Sequence, residues 1–72
     1  MTYLADSDLI IRYLRGRPDA VSLVLDLAAK GMAISLITYG EVYEGIYNGA
    51  NPRLHERGFR TLLHDVLVLP LN

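Results

Sequence analysis

The chain has no cysteine, so neither disulfides nor thiolate metal sites can reinforce it. Net charge is nearly absent as well. Seven basic residues against eight acidic ones leave −1 at pH 7, which excludes a global positive field, and any contact with a polyanion has to be local. No stretch approaches the ~20 consecutive apolar residues of a membrane span, and Asp6 and Asp8 interrupt the first apolar run well short of a signal-peptide core. A soluble, cytoplasmic chain is the default expectation. Aromatic residues are scarce at 8%, yet 51% of the sequence is hydrophobic, and that content excludes a disordered or low-complexity chain. At 72 residues, one small domain is the most the chain can hold. Such a domain buries only ~60% of its unfolded surface, so oligomerisation or further polypeptide is the expected support for its core.

What is present is an abrupt change of chemistry near the start. Tyr3-Leu4-Ala5 reads as strand, Asp6-Ser7-Asp8 supplies acid, hydroxyl and acid, and Leu9-Ile10-Ile11 returns to apolar residues. Asp6, Ser7 and Asp8 can each accept from backbone N–H groups at the start of a helix. A junction between a strand end and a helix start is also where open α/β sheets bind ligands.

In chain order, residues 2 to 5 are expected to form a short buried strand and Ser7 to about Leu14 a helix, closed by Arg15-Gly16-Arg17-Pro18 with Gly16 in a left-handed conformation. Pro18 suits the first position of a second helix running to Lys30 and Gly31. Val21, Val24, Leu25 and Ala28 give it helical spacing, and Leu23 and Leu27 widen its stripe enough to predict burial on more than one side. Met32 to Ile37 is too short for a helix and reads as a second, parallel strand. Thr38 and Glu41 have the spacing of a capping box that opens a third helix to about Asn48 or Gly49. Tyr39, Tyr43 and Tyr47 recur on that helix, a stripe that suits packing better than base stacking. Asn51-Pro52 opens a fourth helix to about His64, on which His55 and His64 point ~180° apart and cannot share a metal. Val66 to Leu71 reads as a third strand.

This order predicts an α/β fold, a three-stranded parallel sheet with four helices, as one domain over residues 1 to 72 with no linker. Right-handed crossovers place both strand-to-helix junctions, and so Asp6 and Glu41, on the carboxyl edge of the sheet. Each acid alone is explained by capping. Two on one edge point instead to a hard divalent cation, which takes one or two carboxylates together with water and phosphate oxygens. Two arginine groups, Arg12, Arg15, Arg17 and Arg53, Arg57, Arg60, read either as solvated helix faces or as phosphate contacts.

The acidic turn Asp6-Ser7-Asp8-Leu9-Ile10, the segment Ile37-Thr38-Tyr39-Gly40-Glu41-Val42 and the closing Val66-Leu67-Val68-Leu69-Pro70-Leu71 together resemble the N-terminal half of a PIN domain, and within it the VapC toxins of type II toxin-antitoxin systems. The resemblance implies an endoribonuclease dependent on Mg²⁺ or Mn²⁺, which hydrolyses RNA phosphodiesters through an acidic cluster. Asp6 and Glu41 match its first two acids, as catalytic residues and metal ligands. Ser7 and Thr38 match supporting hydroxyl positions, and Asp8 a position with at most a supporting role. It further implies a homodimer held in check by a small VapB-like antitoxin protein, whose C-terminal segment lies in an apolar groove. Residues Ile11 to Leu14, Val21 to Leu27 and Tyr43 to Tyr47 are the expected lining.

The remaining acids of the family follow the third strand, so the expectation here is a partial PIN-like domain, weak or inactive by itself, with self-association through the edge at Thr2 to Ala5 or through apolar helix faces. Two alternatives stand beside this reading. One is a non-catalytic fragment for dimerisation or antitoxin binding. The other is a haloacid dehalogenase-like phosphotransferase, whose D-x-D pattern matches Asp6 and Asp8 but expects Gly-Thr or Gly-Val where Leu9-Ile10 stands.

Overall fold

A computed structural model describes residues 3 to 70. The elements run β1 (Tyr3–Leu4), α1 (Ser7–Leu14), α2 (Pro18–Lys30), β2 (Met32–Ser35), α3 (Leu36–Tyr47), α4 (Pro52–Leu63) and β3 (Val66–Leu69). The three strands form one sheet in the order β1-β2-β3, and both pairings are parallel. The α/β class, the parallel sheet and the four helices are therefore as the residue pattern predicts.

Local chemistry explains most boundaries. Asp6 caps α1, its Oδ1 accepting from the Leu9 N–H at 2.9 Å. Gly16 and Gly31 take φ of 76° and 104°, in the left-handed half of the map that favours glycine, and so turn the chain after α1 and α2. Pro18 and Pro52 occupy first helical positions, where the missing N–H removes nothing.

The core lies between one face of the sheet and the helices. The register Tyr3↔Met32↔Val66 and Ile34↔Val68 places these side chains on one face. Met32 and Ile34 join Ile10, Val24, Val42, Ile46, Phe59 and Leu62 in a continuous apolar cluster. Full burial of a side chain such as Phe59 or Ile10 is worth about 1.5–3 kcal/mol. The opposite face carries the row Leu4, Ala33, Leu67. Its two leucines stand 61% and 59% exposed.

Several expectations are corrected. β1 is not buried, because its Leu4 lies on the uncovered face, and it spans two residues. β2 ends at Ser35, and the apolar pair Leu36-Ile37 begins α3 with both side chains exposed. α2 buries only Ala20 and Val24; Leu23 and Leu25 face outward, since α1 and the sheet contact it along a single stripe. Asn51 stands at the N-cap of α4 without a side-chain cap bond. Thr2 and Leu71 lie outside the described residues. No helix among those described is long and apolar enough to cross a membrane.

Candidate functional site

Asp6 directly follows β1, and Ser35, at the end of β2, caps α3. With Ala5 N–H donating to the Ala33 carbonyl at 2.9 Å, the chain leaves the sheet for α1 and for α3 at nearly the same height on the carboxyl edge. The two helices then run side by side. An ideal Cβ placed on Gly45 would stand 2.8 Å from Ile11 Cδ1, so the tip of the Ile11 side chain rests in the space the bare glycine leaves. One turn further on, Leu14 and Arg15 share a hollow with Gly49. Ser7 and Glu41 each lie four residues before Ile11 and Gly45 on their respective helices. Asp6 immediately precedes Ser7.

Each acid has a distinct local environment. Asp6 is exposed; its Oδ1 is occupied by the cap bond while Oδ2 has no partner among the described residues. Capping is thus a genuine part of its role, and it leaves one carboxylate oxygen available. Asp8 is tied to Arg12, Oδ2 to Nε at 3.2 Å, and Arg12 also reaches Asp19 at 3.1 Å. These pairs are exposed and contribute little to stability, and they engage Asp8 with a cation that Asp6 does not share. They also occupy one member of the first arginine group.

The expected capping box is absent. Ser35, not Thr38, is the N-cap of α3: its Oγ accepts from the Thr38 N–H and donates to Thr38 Oγ1, each at 3.0 Å. Thr38 lies one turn inside the helix and is 8% exposed, so its hydroxyl is committed to this internal pair. Glu41 consequently has no capping duty. Its carboxylate is exposed and makes no hydrogen bond or ion pair among the described residues. The signal for the true cap was Ser35 with Thr38 three residues on, obscured because Leu36-Ile37 extends the apolar run of the strand.

No group of three or more His, Cys, Asp or Glu side chains comes together to hold a metal among the described residues. Asp6 and Glu41 are hard oxygen donors, and that donor type suits Mg²⁺ or Mn²⁺ with water completing the shell. Two such donors make an open and weak site.

The tyrosine stripe divides. Tyr39 and Tyr43 are half-buried and pack on Phe59, with ring centroids 5.8 and 5.3 Å away. Tyr47 is 60% exposed, stacked on Tyr43 at 25°, with its hydroxyl donating to Glu56 Oε2 at 3.0 Å. That bond, then desolvation and the Glu56 charge, raise the Tyr47 pKa. Tyr39 is raised chiefly by hydrogen bonding with Tyr43 and secondarily by burial. Interaction with Tyr43, then with Glu56, raises the Arg60 pKa and keeps its guanidinium charged. His55 and His64 sit on different sides of α4, His55 beside Ile11 and Gly49 and His64 among the arginines. Compared with family models, curated proteins and solved structures, the chain matches none.

Proposed function

We propose that the chain is part of a PIN-like, VapC-type endoribonuclease, in which Asp6 and Glu41 hold a Mg²⁺ or Mn²⁺ ion at the carboxyl edge of the sheet. The observation that supports this reading is Glu41 itself: an exposed carboxylate with no hydrogen bond or ion pair among the described residues, on a helix that packs against α1. When bound, such an ion activates water and stabilises charge on a phosphodiester. The chain's own residues have simpler tasks. The Leu9 N–H holds the Asp6 carboxylate in one orientation, the Ser35–Thr38 pair fixes the first turn of α3, and Ser7 is the hydroxyl residue next to Asp6 in the chain. With only these carboxylates the isolated chain binds the ion weakly and cleaves slowly at best. A cytoplasmic setting, RNA as substrate, a second copy of the chain and a small VapB-like antitoxin as partners belong to the same reading.

Asp6→Asn is an informative variant because asparagine caps helices about as well as aspartate, so folding is retained while the metal charge is lost. Saturable Mn²⁺ binding, and RNA cleavage that requires Mn²⁺, are expected in the parent chain and strongly reduced in Asp6→Asn and Glu41→Gln. Cleavage that persists in Asp6→Asn, or a parent chain without saturable Mn²⁺ binding, would overturn the proposal. The second reading, an interaction fragment, draws on Leu4 and Leu67, which stand 61% and 59% exposed on the uncovered face of the sheet.

A further inference from the structure

Charge on this molecule is segregated by element. α4 carries three arginines and one glutamate, while the rest of the chain carries four basic and seven acidic residues. Arg53, Arg57, Arg60 and His64 fall at intervals of four, three and four along it, so they share one stripe ~16 Å long at a rise of ~1.5 Å per residue. The buried side chains of the helix, Phe59 and Leu62, occupy the opposite side.

The stripe borders an open hollow of about 440 Å³ lined by Arg53, Glu56, Arg57, Arg60, Thr61 and His64. Its single acid is already engaged. Glu56 accepts from Tyr47 at 3.0 Å and meets Arg60 at 3.7 Å, whereas Arg53 and Arg57 have no carboxylate within ion-pair distance among the described residues. A solvated helix face ordinarily mixes both signs; this one presents guanidinium after guanidinium.

The ring of Tyr47 is tied to the stripe by its hydroxyl bond to Glu56 and stacked on one side by Tyr43. Guanidiniums repeated along a groove with an exposed aromatic face alongside are the two components by which proteins hold single-stranded nucleic acid, phosphates on the cations and a base on the ring. An acidic peptide would use the cations but has nothing to place on the ring.

We propose that α4 and Tyr47 form a binding surface for single-stranded nucleic acid, with Arg53, Arg57 and Arg60 contacting successive phosphates and Tyr47 stacking one base. The surface is built on elements other than the turn at Asp6, needs no metal, and stands or falls separately from the nuclease reading.

The test is fluorescence anisotropy of a labelled single-stranded RNA 12-mer with the chain in EDTA, over a series of salt concentrations. Three phosphate contacts predict a log–log salt slope near −2, at about −0.7 per contact on a single strand. Arg53→Ala with Arg57→Ala should weaken binding at least tenfold at low salt and flatten the slope by about 1.4. Tyr47→Leu should weaken binding with the slope unchanged. Both sets of side chains are exposed, and circular dichroism of each variant checks that the helices persist. Binding that persists in EDTA, with no divalent ion for Asp6 and Glu41 to hold, separates this surface from the metal site. Absence of binding at low salt, equal binding by the arginine variant, or capture of anionic vesicles or a poly-glutamate peptide as tightly as RNA would each overturn the proposal.

Discussion

A single hydroxyl separates what Glu41 does from what its spacing suggests. Ser35 caps α3 through the Thr38 N–H, and replacing a serine cap with alanine costs about 0.5–2 kcal/mol. Ser35→Ala is therefore expected to lower the urea midpoint by an amount equivalent to ~1 kcal/mol, while Glu41→Gln, on an exposed site without partners, should stay within about 0.5 kcal/mol of the parent. Equal losses would restore the capping box to Thr38 and Glu41. Glu41 is the sixth residue of α3, because β2 ends at Ser35. The sequence made the acids legible as acids and set Asp6 and the start of α3 on one edge of the sheet, because strand-to-helix alternation in a parallel sheet allows little else. It did not reveal which hydroxyl capped α3. Leu36 and Ile37 have the composition of strand residues, and only the exposed positions they occupy in the fold show that the helix had already begun.

Among the elements, α3 and α4 are coupled through their aromatic and charged side chains as much as through Phe59. The raised pKa values of Tyr39 and Tyr47 mean that both prefer the neutral form when folded. The unfolded chain then loses these protons first, near the ordinary tyrosine value of about 10, and between that pH and the folded values it binds fewer protons than the native state. The stabilisation from these groups is complete below pH ~10 and is lost as pH rises through the folded values. Denaturant midpoints measured from pH 8 to 11 should decline above pH 10, and the Tyr39→Phe, Tyr47→Phe variant should decline less steeply over the same interval. The tyrosine spacing was enough to predict packing, and for Tyr39 and Tyr43 it was correct. The exposure of Tyr47 could not be read from it, because spacing does not show that Phe59 packs on Tyr39 and Tyr43 while α4 meets Tyr47 through the polar Glu56.

At the scale of the whole molecule, the helices cover one face of the sheet, and on the other Leu4 and Leu67 stand exposed on either side of the buried Ala33. Parallel sheets normally bury both faces, and exposed leucines beside an unpaired edge strand promote association. Sedimentation velocity at micromolar concentrations should show self-association in the parent chain. A double replacement, Leu4→Lys with Leu67→Lys, should shift the chain toward monomer at little cost in folding, since both leucines are largely in water. A stable monomeric parent would contradict this. Periodicity identified the strands but not their two faces, because Val66 to Leu69 is apolar at every position and carries no alternation to read. Gly45 has a different consequence. The absent side chain leaves a notch that the tip of Ile11 fills: a methyl added at Gly45 stands 2.8 Å from Ile11 Cδ1, and because that atom ends a flexible side chain, a change of Ile11 rotamer relieves the contact with both backbones in place. Gly45 therefore selects the rotamer of Ile11 rather than the spacing of α3 and α1.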